Sequence, residues 1–228
     1  MALAALFPPI SVMADKIHVV RKGETLTGLS RLYDVPLKEL AKENDLTTSS
    51  KIKIGEKLVI PGKNSAPQIA WSLKRQLDRI PVRSRRWKNI VIHHSATPNG
   101  TLKGMDRYHR EERHMQNGLA YHFVVGNGKG MKDGEIAAGE RWTGQIAGGH
   151  LASESLNQVS LGICLVGNFE QAEPTSRQLE SLAGLINYLI SRCGLSRNAV
   201  KTHQQINTVF TRCPGRKFPV KKLMEMVS

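Results

Sequence analysis

The chain has 228 residues, 40% of them hydrophobic and 23% charged, with three cysteines, so it is neither a disordered nor a collagen-like chain nor a disulfide scaffold. That is room for one ordinary domain plus a small module, and no run approaches the roughly 18 apolar residues of a membrane-spanning helix. Formal net charge is +14, and half of it sits in residues 63–89, where eight basic side chains face one acidic one. A basic stretch of this kind meets nucleic acid, anionic lipid or an acidic wall polymer, and charge alone does not choose among them.

Residues 1–14, MALAALFPPISVMA, are apolar and end in small residues, as a short secretory signal cleaved near Ala14 would. No Lys or Arg precedes the apolar run, so a frayed terminus is the competing reading. From Asp15 to Gly62 the pattern predicts strand, helix, helix, strand. Ile17 and Val19 alternate with polar neighbours. Thr25 follows the turn at Gly23-Glu24 and is the expected cap for a helix carrying Leu26, Leu29, Leu32 and Tyr33. Val35-Pro36 breaks that helix, Leu37, Leu40 and Ala41 open another, and Ile52, Ile54 and Leu58–Ile60 suggest a closing strand.

HVVRKGETLTGLSRLYDVPLKELAKENDL followed by IKIGEKLVIP resembles the LysM module over residues 17–61, including the Gly-Glu-Thr-Leu turn, Asn44 and the closing Ile-Pro. The resemblance implies a βααβ fold that binds N-acetylglucosamine-containing glycans in a groove between residues 23–27 and 51–54. Its contact residues would be Gly23, Glu24, Thr25, Leu26, Ile52 and Lys53.

Residues 63–86 read as a basic linker. Trp71, Leu73, Leu77 and Ile80 form a short amphipathic stretch expected to dock on the C-terminal domain, and Arg83, Arg85, Arg86 and Lys88 come after Pro81. Beyond it, IVIHHS, AYHFVV, SLGICLVGNF and AVKTH predict strands. A helix is expected around Gly104–Met115, and another over 175–193 begins at a Thr175 cap and stops at Gly194. Strands alternating with helices give an α/β class, a central mixed sheet packed by helices.

Eight histidines and three cysteines invite a search for metal ligands, yet CxxC and HxxxH pairs are absent. Any site is therefore assembled from distant segments, with His93 or His94, His122, His203 and Cys213 as candidates. Two imidazoles and one thiolate suit zinc and leave a fourth position open. Strand alternation keeps His93 and His94 from facing one metal together, and it turns His122 away if Tyr121 faces inward.

IVIHHSATP, DRYHRE, AYHFVV, GGH, SLGICLVGNF and TH…TRCPG occur in that order. The succession, over residues 87–220, resembles the zinc-dependent type 2 N-acetylmuramoyl-L-alanine amidases and the related peptidoglycan recognition proteins. The resemblance implies a zinc amidase domain over 87–228 that uses zinc-activated water to cut the amide between N-acetylmuramic acid and L-alanine. Zn2+ would be held by His93, His203 and Cys213, with Tyr121 and Thr211 assisting catalysis and His150 and Asn157 lining the substrate groove. Cys164 stands where the branch acting on cytoplasmic anhydromuropeptides has a Glu base, and Cys213 where that branch has Asp, which sides the chain with wall-acting relatives. The nine residues between His203 and Cys213 exceed the usual spacing and threaten the ligand set. The expected partner is peptidoglycan rather than nucleic acid, for which no recognition motif is present. The expected compartment is the periplasm, the cell envelope or the exterior, and the expected state a monomer. A non-catalytic binding protein on the same fold is the alternative. The stretch Gly126–Gly130 lacks the Ser/Thr helix start of a phosphate loop and reads as a turn. Cys164 and Cys193 read as core cysteines, with a disulfide between them left open.

Overall fold

A computed structural model of the chain describes residues 16–33, 35–61 and 67–228. The expected signal at 1–14 and the start of the linker at 63–66 lie outside these residues. The chain divides into two compact units, residues up to 65 with 70–75, and residues 66–69 with 76–228.

In the first unit, β1 (Lys16–Val19) pairs antiparallel with β2 (Lys57–Ile60), and α1 (Leu26–Tyr33) and α2 (Leu37–Glu43) lie between them in sequence. Thr25 caps α1, its Oγ1 accepting from Gly28 N at 3.1 Å. Asn44 closes α2 and acts as a surrogate strand: Oδ1 accepts from Val59 N at 2.7 Å and Nδ2 donates to Val59 O at 2.9 Å. The core is Val20, Leu26, Leu29, Val35, Leu40, Leu58 and Ile60.

Three expectations are corrected here. Ile17 and Val19 point outward, 51% and 47% exposed, and His18 takes the buried face of β1. His18 bears that burial because both ring nitrogens are matched, Nδ1 to Tyr33 Oη at 2.8 Å and Nε2 to Glu24 Oε2 at 2.6 Å. Leu32 and Ile54 are exposed rather than core. Ile52 and Ile54 precede β2 instead of joining it.

The second unit is a five-stranded sheet of order β5-β4-β6-β3-β7, with β3 (Asn89–His94), β4 (Phe123–Val125), β5 (Ile136–Ala138), β6 (Ser160–Leu165) and β7 (Val200–Thr202). The β4–β6, β6–β3 and β3–β7 pairs are parallel, and only the edge hairpin β4–β5 is antiparallel. Its turn includes Gly126–Gly130. β3, β6 and β4 are buried along nearly their whole length, as expected of parallel strands covered on both faces.

Between the strands run α4 (Leu102–Glu111), α5 (Glu140–Thr143), α6 (Glu154–Asn157) and α7 (Ser176–Cys193), and after β7 come α8 (His203–Ile206) and α9 (Val220–Met226). Thr175 and Gln178 form a capping box at the start of α7, and Gly194 ends it in the left-handed conformation at φ 65°. α7 buries Leu179, Leu182, Leu185, Ile186 and Leu189 and packs against β4 and α9.

Of the segment before β3, residues 67–69 and 76–88 belong to this unit. Leu77 and Ile69 are buried, Asn187 Nδ2 donates to Pro67 O, and Arg192 donates to Ile80 O. Helix α3 (Trp71–Asp78) is divided between the two units. Among the described residues no helix is long and apolar enough to cross a membrane. Cys164, Cys193 and Cys213 are all free thiols, so Cys164 and Cys193 are not joined.

Candidate metal centre

Because β3, β6 and β7 run parallel, their C-terminal ends open at one edge of the sheet, where ligands of α/β folds gather. His93 is the penultimate residue of β3 and 1% exposed. His203 opens α8 directly after β7, and its place is fixed by a capping box in which Thr202 Oγ1 accepts from Gln205 N and Gln205 Oε1 accepts from Thr202 N. Cys213 reaches the same point from the following loop, tied down by Gln204 N donating to Cys213 O at 2.9 Å. The nine intervening residues therefore do not displace it.

One donor atom from each of His93, His203 and Cys213 lies within 4.8 Å of the other two. His93 Nδ1 is 3.8 Å from Cys213 Sγ. A tetrahedral zinc with bonds of about 2.1 and 2.3 Å puts N and S about 3.6 Å apart, so the donor set fits that ion. A second observation agrees: His203 Nε2 is buried without a hydrogen-bond partner. Its ring is held through a side-chain bond to Asn207. Burial lowers the pKa of His203 and holds that of His93 well below the usual histidine range, with His150, His203 and His94 adding repulsion at His93, so both rings are neutral bases ready for a cation. Burial pushes the Cys213 thiol up to about 12, opposed by the His94 N–H that points at its sulfur from 3.4 Å. A bound cation is what turns this thiol into a thiolate.

His94 turns to the opposite face of β3, where Nδ1 accepts from Phe169 N at 3.1 Å. His122 is fully buried, with Nδ1 accepting from Gly162 N and Nε2 donating to Ile146 O. Neither ring joins the converging donors of His93, His203 and Cys213.

Tyr121 lies beside the cluster, its ring centroid 5.1 Å from that of His93. Burial, and then Cys164 and Cys213, hold its phenol well above the usual tyrosine range, so it stays protonated as a donor. Thr211 Oγ1 accepts from Cys213 N at 3.1 Å, leaving its own proton to donate. His150 and Asn157, expected along the groove, are instead buried behind the centre. Asn157 Oδ1 accepts from His150 N and Leu151 N, and one Nδ2 hydrogen is donated to Leu151 O, so its carboxamide is engaged with the backbone around His150.

Two contributors are not singled out by the sequence. Asn207 is the partner of His203, and its Oδ1 also accepts from Ala152 N. The i, i+4 spacing from His203 is the signal that could have found it. Gly162 lies so close to the His150 ring that a Cβ there would sit 2.4 Å from His150 Cδ2.

Residues 83–216 match the N-acetylmuramoyl-L-alanine amidase family and residues 18–61 the LysM domain. The chain belongs to the N-acetylmuramoyl-L-alanine amidase family. Peptidoglycan-recognition protein LE of Drosophila melanogaster is 29% identical over 178 residues, 71% of this chain and 47% of that protein. The chain thus spans about half the length of that curated relative. Among solved structures, the endolysin amidase LysCS of Clostridium intestinale superposes with a TM-score of 0.53 at 28% identity, covering 65% of this chain and 90% of that one. Peptidoglycan recognition protein-LE in complex with tracheal cytotoxin, a monomeric diaminopimelic acid-type peptidoglycan, gives 0.50 at 28% identity, covering 63% and 82%. The amidase domain shares the mixed α/β fold of these structures, and the LysM domain carries the β-α-α-β order expected of it.

In the LysM domain the expected glycan contacts divide. Gly23, Glu24 and Thr25 line a shallow hollow of about 250 Å³ with Gly28, Leu29 and Leu32. Leu26 is in the core, and Ile52 packs against that core while staying partly exposed. Lys53 is exposed, away from that lining.

Proposed function

We propose that the protein is a zinc-dependent peptidoglycan amidase that hydrolyses the bond between N-acetylmuramic acid and the L-alanine of the stem peptide, and that its LysM domain holds it on the wall. The observation that carries this reading is the convergence of His93, His203 and Cys213 beside a protonated Tyr121. Zinc at these three donors supplies Lewis acidity toward water and toward the amide carbonyl. Tyr121 donates its phenolic proton to the oxygen that gains charge on attack, and Thr211 offers a second donor. No carboxylate joins the converging donor group among the described residues, so proton handling falls to Tyr121, Thr211 and solvent. The solved relative that binds a monomeric peptidoglycan supports a glycopeptide ligand for this fold. The wall-directed pairing of LysM and amidase domains supports a periplasmic, cell-envelope or secreted site of action. Catalysis on an insoluble polymer gains from a tether, because the second encounter becomes intramolecular.

The test is digestion of purified peptidoglycan by zinc-loaded protein, with mass spectrometry of the soluble products and with Cys213→Ser and chelated protein alongside. Stem peptides with a free L-alanine amino terminus, absent from both controls, are the expected result. Retention on the wall without released peptide makes the protein a recognition protein instead.

A further inference from the structure

His150 sits behind the metal centre with every polar atom committed. Its Nε2 is 3.2 Å from Ser160 O, and its Nδ1 is 3.0 Å from His93 Nε2. A carbonyl oxygen only accepts, so Nε2 of His150 carries the hydrogen and Nδ1 carries the lone pair. That lone pair must be met by a donor, which places the hydrogen of His93 on its Nε2. The Nδ1 of His93 is then left bare, and it is the atom that faces Cys213 Sγ at 3.8 Å. The reverse arrangement sets two lone pairs against each other between His150 and Ser160, and it points a hydrogen from His93 into the place a cation needs.

We infer that His150 is the positioning residue that fixes the His93 tautomer, so that Nδ1 of His93 is presented to the metal. The inference rests on the zinc reading for its functional meaning, but the tautomer itself does not. The surroundings are built for it. Asn157 clamps the backbone at His150 and Leu151 through one carboxamide. Glycines at 148 and 162 leave room for the ring, since a Cβ at either would lie within 2.6 Å of it. His203 is handled separately, by Asn207, so the two imidazole ligands offer different nitrogens, Nδ1 from one and Nε2 from the other. Hydrogen-bond partners behind metal-ligating histidines are worth 10–100-fold in affinity.

Long-range proton–nitrogen NMR correlations of 15N-histidine-labelled metal-free protein read the tautomers directly. His93 is expected as the Nε2–H form, with His122 as an internal reference of the same form. In His150→Leu the His93 signal shifts toward a mixture, and zinc affinity measured by chelator competition falls by about 10–100-fold. His150→Gln, whose amide oxygen accepts from His93 Nε2, retains affinity to within about a factor of ten. An Nδ1–H form in the wild type, or wild-type zinc affinity in His150→Leu, overturns the inference. If His150→Leu does not fold, the wild-type tautomer and the glutamine variant decide. A wild-type protein that shows the Nε2–H form and binds no zinc defeats the amidase reading alone.

Discussion

Gly162→Ala is the sharpest perturbation of the centre that leaves every donor in place. The new Cβ would stand 2.4 Å from His150 Cδ2, 2.7 Å from Nε2 and 2.8 Å from Cγ. Ordinary contact begins near 3.4 Å, so the ring must retreat by about 1 Å. β6 is hydrogen-bonded on both sides, and the strand has no freedom to yield. A retreat of that size stretches His150 Nε2···Ser160 O from 3.2 Å and Nδ1···His93 Nε2 from 3.0 Å beyond useful range. Each buried group left unmatched costs about 1–3 kcal/mol, so the pair costs roughly 2–6 kcal/mol. At about 2–4 °C per kcal/mol for a chain of this size, that lowers the melting temperature by roughly 4–24 °C. Calorimetry of the amidase-domain transition measures it, with chelator competition on the same sample. A melting temperature within about 2 °C of wild type, together with unchanged zinc affinity, refutes the account of the His150 packing.

Other outcomes rest on the same contacts. Burial raises the pKa of Cys193 to about 11 and of Cys213 to about 12, so the folded state favours both as thiols. Their contribution is complete below the unfolded value of about 8.5 and is lost as pH climbs toward those folded values. Urea unfolding of metal-free protein at pH 7.5 and pH 10 should therefore show a larger loss than zinc-loaded protein, where Cys213 is already a thiolate. Thr175→Ala removes the capping box of α7 and the bond to Asp133, and should cost about 1–2 kcal/mol by denaturant titration, with Thr175→Ser near neutral. Leu29 is 1% exposed in a small core, so Leu29→Ala should cost about 3–5 kcal/mol and unfold the LysM domain. Sedimentation with insoluble peptidoglycan should fall while the amidase-domain melting transition stays in place. Deletion of residues 1–62 should reduce activity on intact sacculi far more than on a soluble muropeptide, and equal loss on both removes the tethering role.

Strong local signals are legible in the chain. The apolar spacing of α7, its Thr175 cap and its Gly194 stop are local, and they predict the helix to within a residue. The buried face of β1 is not legible, because alternation gives a period and no phase. The phase is decided by His18, a polar residue made buriable by Tyr33 and Glu24 from other segments. Short elements such as β5, α5, α6 and α8 span three or four residues, less than one amphipathic repeat, and leave no periodic trace. His93, His203 and Cys213 are separated by about 110 and 10 residues, and without the fold only the resemblance joins them. The resemblance likewise brings His150 and Asn157 near the centre, where both side chains are buried. Which side a ring occupies depends on the space left by Gly148 and Gly162, and no property of His150 itself records that space.

The three unpaired thiols carry a practical consequence. A fold that rests on no disulfide is indifferent to a reducing solvent, so production in an ordinary bacterial cytoplasm should need neither oxidase nor isomerase. Cys164 is sealed inside β6, whereas Cys213 stands half-buried at the centre. Under oxidising conditions that sulfur is the vulnerable atom, and a bound metal would double as its protection against peroxide. Shelf life of the purified protein should track how completely the centre is filled.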